Sequence, residues 1–264
     1  MHPLLFKFGE YHIYAYGFFI VLGSALGYLF LSRFAYKVYG IDKDKISSLL
    51  LWIFVTAFIG GKVLFYMEDP KIHLSDPSKM ISNLGNGFVF FGSLLFAVPT
   101  TIWFFKKEGW NVWGMLDLIA FTTLIVHATG RIGCFMAGCC HGIPTDFFLA
   151  VSFTDPMCQA YPLNTPLHPT QIYEFLALTS IFVFLYWFRK FKSFDGQLFL
   201  FYVVLYSAGR SIIETVRGDE ERGYLIDGIL SHSQGISIVL ITVAVVVYFK
   251  RRNQQLFNQP KSKI

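Results

Sequence analysis

The chain has 264 residues, of which 54% are hydrophobic, 19% aromatic and 15% charged, and its formal net charge is +5. A mean hydropathy of +0.51 lies outside the range of a soluble domain, so the class expected is an all-α polytopic membrane protein. The positive balance does not point to nucleic acid, and no such partner is expected, because the Lys and Arg residues gather in short segments between apolar stretches, where they set membrane topology.

Apolar stretches of roughly 18–25 residues cross a bilayer core. About seven are predicted in chain order, at Tyr14–Phe34, Ser48–Met67, Gly87–Phe105, Met115–Phe135, Thr170–Phe188, Gly196–Ile213 and Gly235–Phe249. The first is long enough to span and no small-residue cleavage site follows it, so it is expected to remain as a helix. Residues 1–252 read as one membrane-embedded domain with a long loop at 137–169, and residues 253–264 as a polar, disordered cytoplasmic tail.

Basic residues follow alternate spans. Arg33, Lys37, Lys43 and Lys45 come after the first, Lys106 and Lys107 after the third, Arg189, Lys190 and Lys192 after the fifth, and Lys250, Arg251, Arg252, Lys261 and Lys263 after the seventh. The other side holds Lys7, Lys71, Lys79, Arg217 and Arg222, and the 137–169 loop has neither Lys nor Arg. The positive-inside rule therefore puts the N-terminus outside and the C-terminus inside. With that orientation, Arg131, Arg210, Glu214 and the segment from His168 to Glu174 share one layer near the outer leaflet. Tyr16 and Lys62 fall at similar depth.

An arginine at membrane depth costs a few kcal/mol or more unless it meets protein, water or an anion. Each polar residue taken alone could snorkel to the interface, but Arg131, Arg210 and Glu214 coincide with glycines that permit close backbone approach. Tyr206, Arg210, Glu214 and Arg217 are spaced to form a stripe down one helix face, as the polar wall of a cavity would. Two arginine forks at this depth suit a lipid phosphate. The spacings Gly130-x-x-Gly133 and Gly138-x-x-x-Gly142 would either let a phosphate approach backbone N–H groups or serve close helix packing. At the start of the fifth span, Gln171, Tyr173 and Glu174 read equally as helix capping and as substrate-orienting groups.

Cys139-Cys140-His141 could supply soft metal ligands, a disulfide with Cys158, or a histidine-assisted nucleophile. The spacing fits no standard zinc or haem site, so no metal or cofactor is expected. Cys134 reads as a plain buried cysteine.

Taken together, Gly130-Arg-x-Gly-x-Phe-x-x-Gly138 closing with Gly142, His168-Pro-x-Gln-x-Tyr-Glu174, Arg210-x-x-x-Glu214-x-x-Arg217 and the pair Tyr16-Gly17 resemble the bacterial prolipoprotein diacylglyceryl transferases over nearly the whole chain. The resemblance implies a multi-pass enzyme of the bacterial cytoplasmic (inner) membrane with its active site toward the outer leaflet. Its reaction moves diacylglycerol from phosphatidylglycerol to the lipobox cysteine thiol of a preprolipoprotein, forming a thioether and releasing glycerol phosphate. Arg131 and Arg210 would then hold the phosphate, while Tyr16, Tyr206, Glu174 and Glu214 orient the partners. Gly142, Gln171, Tyr173 and Arg217 would contact substrate.

The chain departs from the family pattern in three places. Cys134 stands for an asparagine, Cys139 for an acidic residue, and Phe91-Gly92-Ser93 for His-Gly-Gly. The family's histidine base is thus absent. His127 is the first substitute and His168 the second, unless the cavity's positive charge lowers the thiol pKa without a base. The cysteines fit a divergent subgroup of the same activity. A paralogue with another acceptor, a redox-sensitive enzyme, and a non-catalytic lipid-, metal- or redox-binding protein stay open. A transporter would show internal repeats, and none is visible.

Overall fold

The computed structural model describes residues 2–9, 11–68, 70, 87–218, 224–226 and 230–258. Lys71, Lys79, Arg222, the acidic run from Asp219 to Glu221 and the end of the tail lie outside the described residues. Seven helices are present among the described residues: α1 Ala15–Tyr39, α2 Lys43–Glu68, α3 Phe90–Lys107, α4 Val112–Ala137, α5 Thr170–Phe188, α6 Gln197–Glu214 and α7 His232–Asn258. Three antiparallel hairpins accompany them, β1 Leu4–Phe8 with β2 Tyr11–Tyr14, β3 Val151–Ser152 with β4 Pro166–Leu167, and β5 Tyr224–Ile226 with β6 Leu230–Ser231.

The helical membrane fold expected from composition is the fold observed. By length and composition α1, α2, α4, α5 and α7 can each cross a membrane. The other two are shorter and more polar: α3 carries Pro99, Lys106 and Lys107, and α6 carries Arg210 and Glu214. Helix α7 runs past its apolar part into the segment read as a disordered tail, ending at Asn258. Gln254, Gln255 and Leu256 in that extension are good helix formers.

The chain divides into two compact units, residues 1–31 with 116–264, and residues 32–115. In the larger unit the core joins α4, α5 and α6 through Phe121, Leu124, Leu178, Ile181, Leu185 and Leu198, with Phe30, Tyr202 and Tyr206 packed around them. The spacing of Leu178, Ile181 and Leu185 puts all three on one face of α5. Small residues bring α1 against α4: a Cβ on Gly133 would stand 3.1 Å from the Tyr16 Cα. Tyr16 is thereby pinned to the last turn of α4.

A buried carboxylate fixes the start of α6. Asp117, 2% exposed, accepts the backbone N–H groups of Gly196 and Phe199 at 2.9 Å each and the Lys192 ammonium at 3.0 Å. Two donors of the Gly196–Phe199 helix start, which have no intrahelical carbonyl to meet, are satisfied this way. Beyond the last turn of α4, the loop to α5 builds a small core of its own from Phe153, Cys158, Ala160 and Leu167.

In the smaller unit α2 and α3 approach at glycines, since a Cβ on Gly60 or Gly92 would collide with the other's carbonyl oxygen. Lys62 donates to the Gly87 carbonyl at 2.9 Å and lies over the rings of Phe65 and Tyr66. Its charge is therefore met within its own unit.

Candidate active site

The site grows from the end of α4 and the start of α5. Glu174 is 2% exposed and touches two guanidinium groups: Arg131 Nε lies 2.6 Å from Oε2, and Arg217 Nη1 lies 2.8 Å from Oε1. One acid between two arginines leaves a net positive charge in a buried place, which favours a further anion. His127, one turn before Arg131, stands 3.3 Å from the Arg131 Nε and 3.8 Å from Glu174, with its ring against Tyr206. The Nε2 lone pair of His127 is thus taken up by Arg131.

Arg210 pairs with Glu214 one helical turn on, and both are nearly buried. Their contact is an ion pair without hydrogen-bond alignment. Both terminal nitrogens of Arg210, Oε2 of Glu214, Oγ of Ser207 and Oε1 of Gln171 have no hydrogen-bond partner among the described residues. Unsatisfied buried polar groups are costly, and each calls for a reason. A narrow cleft lined by Leu178, Ile181 and Ile213 reaches Arg210 among these groups, together with Glu174 and Tyr206.

Arg217 sits elsewhere than the helical stripe placed it. Helix α6 stops at Glu214, because the N–H groups of Thr215, Val216 and Arg217 each bond back to a carbonyl three residues earlier, tightening the turn. The backbone then bridges Arg217 to Gly142, and its side chain reaches Glu174 rather than continuing the face of Arg210 and Glu214. Gly142 is enclosed: its N–H donates to the His168 carbonyl at 2.8 Å, and a Cβ there would strike the Val216 carbonyl and lie 2.6 Å from the His168 Cβ. The glycine serves the approach of three backbone segments.

The start of α5 is not capped by a side chain. Pro169 at its N-cap makes no such bond, and Thr170 and Gln171 instead reach across to the cysteine turn, donating to the carbonyls of Cys140 at 2.6 Å and Cys139 at 2.7 Å. His168 and Tyr173 form a pair of their own, Nδ1 to hydroxyl at 3.2 Å.

All four cysteines are free. Cys158 belongs to the loop core, whereas the sulfurs of Cys134, Cys139 and Cys140 lie within 4.8 Å of one another. Hydrogen bonds from the Cys134 and Cys139 thiols, helped by the charges of Arg217 and Arg131, hold the Cys140 sulfur well below the usual thiol range. Hydrogen bonding with Cys134 and Cys140 holds Cys139 well above it. His141 turns away from this group, with Nδ1 on the Gly142 carbonyl at 2.9 Å and Nε2 accepting the Tyr161 N–H at 3.3 Å. The third member of the cluster is Cys134, read from sequence as a bland buried residue. The signal available was the tight turn at Gly138, which folds the chain back on the last turn of α4.

Fold and site define a polytopic helical membrane protein in which α4, α5 and the end of α6 bury an arginine–carboxylate cluster beside a group of thiols. A profile of the family described as prolipoprotein diacylglyceryl transferase matches residues 3–250. A phosphatidylglycerol–prolipoprotein diacylglyceryl transferase of Clostridium tetani is 36% identical over 248 residues, 94% of this chain and 97% of that one. One of Clostridium perfringens, carrying the same name with the number 2, is 33% identical over 89% of this chain and 90% of its own. One of Bacillus velezensis is 31% identical over 96% and 93%. The chain belongs to the prolipoprotein diacylglyceryl transferase family.

Proposed function

We propose that the protein transfers the diacylglyceryl group of phosphatidylglycerol to the lipobox cysteine of a preprolipoprotein, in the cytoplasmic membrane of a bacterium and from the outer leaflet. The observation that carries this reading is Arg210: a buried guanidinium, ion-paired with Glu214, whose two terminal nitrogens make no hydrogen bond among the described residues and stand at the polar end of an apolar cleft. The apolar lining matches acyl chains in chemistry, and the guanidinium at its end suits a phosphate.

In the reaction the acceptor sulfur, as thiolate, attacks the glycerol carbon that bears the phosphate. An S–C bond forms, the C–O bond breaks, and its electron pair leaves on the phosphate oxygen of glycerol phosphate. Arg210 and Arg131 hold the phosphate oxygens where negative charge grows, the role in which fixed donors contribute most. Glu174 fixes the Arg131 and Arg217 forks, and His127 keeps Arg131 in place. Tyr206 and Glu214 line the headgroup region, while Tyr16, against Gly133, borders the acceptor side. His168, Tyr173 and Gln171 brace the turn that carries the thiols, and Gly142 keeps that turn close.

The testing experiment uses Arg131→Ala and Arg210→Ala, each checked for folding. Transfer from labelled phosphatidylglycerol to a lipobox peptide is expected to vanish in both. Transfer retained in both would remove the phosphate clamp.

A further inference from the structure

The thiols of Cys134, Cys139 and Cys140 have no part in the phosphate chemistry, yet the chain bends unusually to bring them together. Gly138 has φ of 76° and Cys140 has φ of 62°, the second a left-handed conformation that a residue with a side chain adopts at a cost. Two side chains from α5, Thr170 and Gln171, hold the carbonyls of this strained turn. In metal sites such outer hydrogen bonds orient the ligands.

Three sulfurs within 4.8 Å of one another need to draw in only slightly to meet one ion, since zinc–sulfur bonds of about 2.3 Å in a tetrahedron set sulfurs roughly 3.8 Å apart. Thiolates select zinc-class cations. His141, with both ring nitrogens bonded elsewhere, is not the fourth ligand. Three protein ligands and one open position is the pattern of catalytic rather than structural zinc.

We infer that Cys134, Cys139 and Cys140 form a three-thiolate site for a Zn²⁺-class cation, whose open position takes the thiol of the acceptor cysteine. The second half rests on the transferase reading. A coordinated thiol is deprotonated outright, so its proton passes to solvent on binding and no histidine base is needed. The bound sulfur then forms the S–C bond as the C–O bond to phosphate breaks. The thioether product is a poor ligand and leaves. No electrons are exchanged with the metal.

The test uses the full-length protein in detergent, loaded with Zn²⁺ or Co²⁺ alone after reduction. One cation per chain is expected, with cobalt showing intense sulfur charge-transfer bands. Cys134→Ser, Cys139→Ser and Cys140→Ser should each weaken binding by more than the roughly 10–100-fold that loss of a supporting hydrogen bond costs, whereas Cys158→Ser should leave it unchanged. If a variant fails to fold, alkylation of the wild type answers instead, zinc protecting Cys139 and Cys140, the two partly exposed thiols of the cluster. Binding that survives all three substitutions, or no protection, overturns the site. A lipobox peptide should alter the cobalt spectrum and its Cys→Ser counterpart should not. An unaltered spectrum while transfer proceeds overturns the acceptor position. Failure of the transferase reading would register separately, as no diacylglyceryl adduct on the peptide by mass.

Discussion

Arg131 and Glu174, on α4 and α5, meet at 2.6 Å in a buried setting, and this contact joins the two segments that carry most of the site. The same carboxylate also holds Arg217 from the turn after α6. Three separate parts of the chain are thus tied by one acid, and its loss should be felt in folding as well as in activity.

Glu174→Gln keeps the shape and removes the charge. Breaking a buried ion pair from one side costs about 3–5 kcal/mol, so the variant should show a clearly lowered midpoint in thermal unfolding in detergent, together with weakened transfer. A midpoint equal to the wild type would mean that the arginines are satisfied without the acid.

Arg210→Lys keeps the charge and loses the planar fork. Removing a donor aimed at developing negative charge costs about 10²–10³ in rate, so the turnover number should fall by that order while the protein stays folded. Turnover within a factor of two of wild type would show that Arg210 acts as a point charge or not at all.

Gly142→Ala tests the crowding of the backbone behind the site. The added methyl would strike the Val216 carbonyl and the His168 side chain, an overpacking that costs about 1–3 kcal/mol. Thermal unfolding should report the loss, and an unchanged midpoint would place the strain elsewhere.

Lys192 gives a pH signature at the other end of the helices. Burial alone would push its ammonium down, but the hydrogen bond to Asp195 and the charge of Asp117 outweigh it and hold the group above its ordinary 10.5. A raised folded-state pKa contributes stability that is fully present below the unfolded value and lost as pH rises through the folded one. Unfolding midpoints should therefore decline above pH 10.5, and Lys192→Met should flatten that part of the decline. Parallel declines in both proteins would assign the effect to other groups.

The helices were legible in the sequence because membrane spans are set by runs of apolar residues, a local property. The site was legible in part. Arg131, Glu174 and Arg210 announced themselves as charges that a membrane helix carries only with a partner, but which acid met which arginine depends on where α6 stops. Helical spacing carried Arg217 onto the face of Glu214, and the tightened last turn sent it to Glu174 instead. Asp117 and Lys192 were missed for a related reason, since their partners lie far along the chain at the start of α6. The thiol cluster was hidden by its turn: Cys140 takes a left-handed conformation that glycine usually supplies, and nothing in a Cys-Cys pair signals it.

The chemistry itself is tested by transfer from labelled phosphatidylglycerol to a lipobox peptide by the purified protein, with and without reductant, scored by mass gain on the cysteine. A diacylglyceryl adduct is expected on the thiol and none on a Cys→Ser peptide. A peptide that stays unmodified under both conditions, while the protein is folded and still binds lipid, would contradict it.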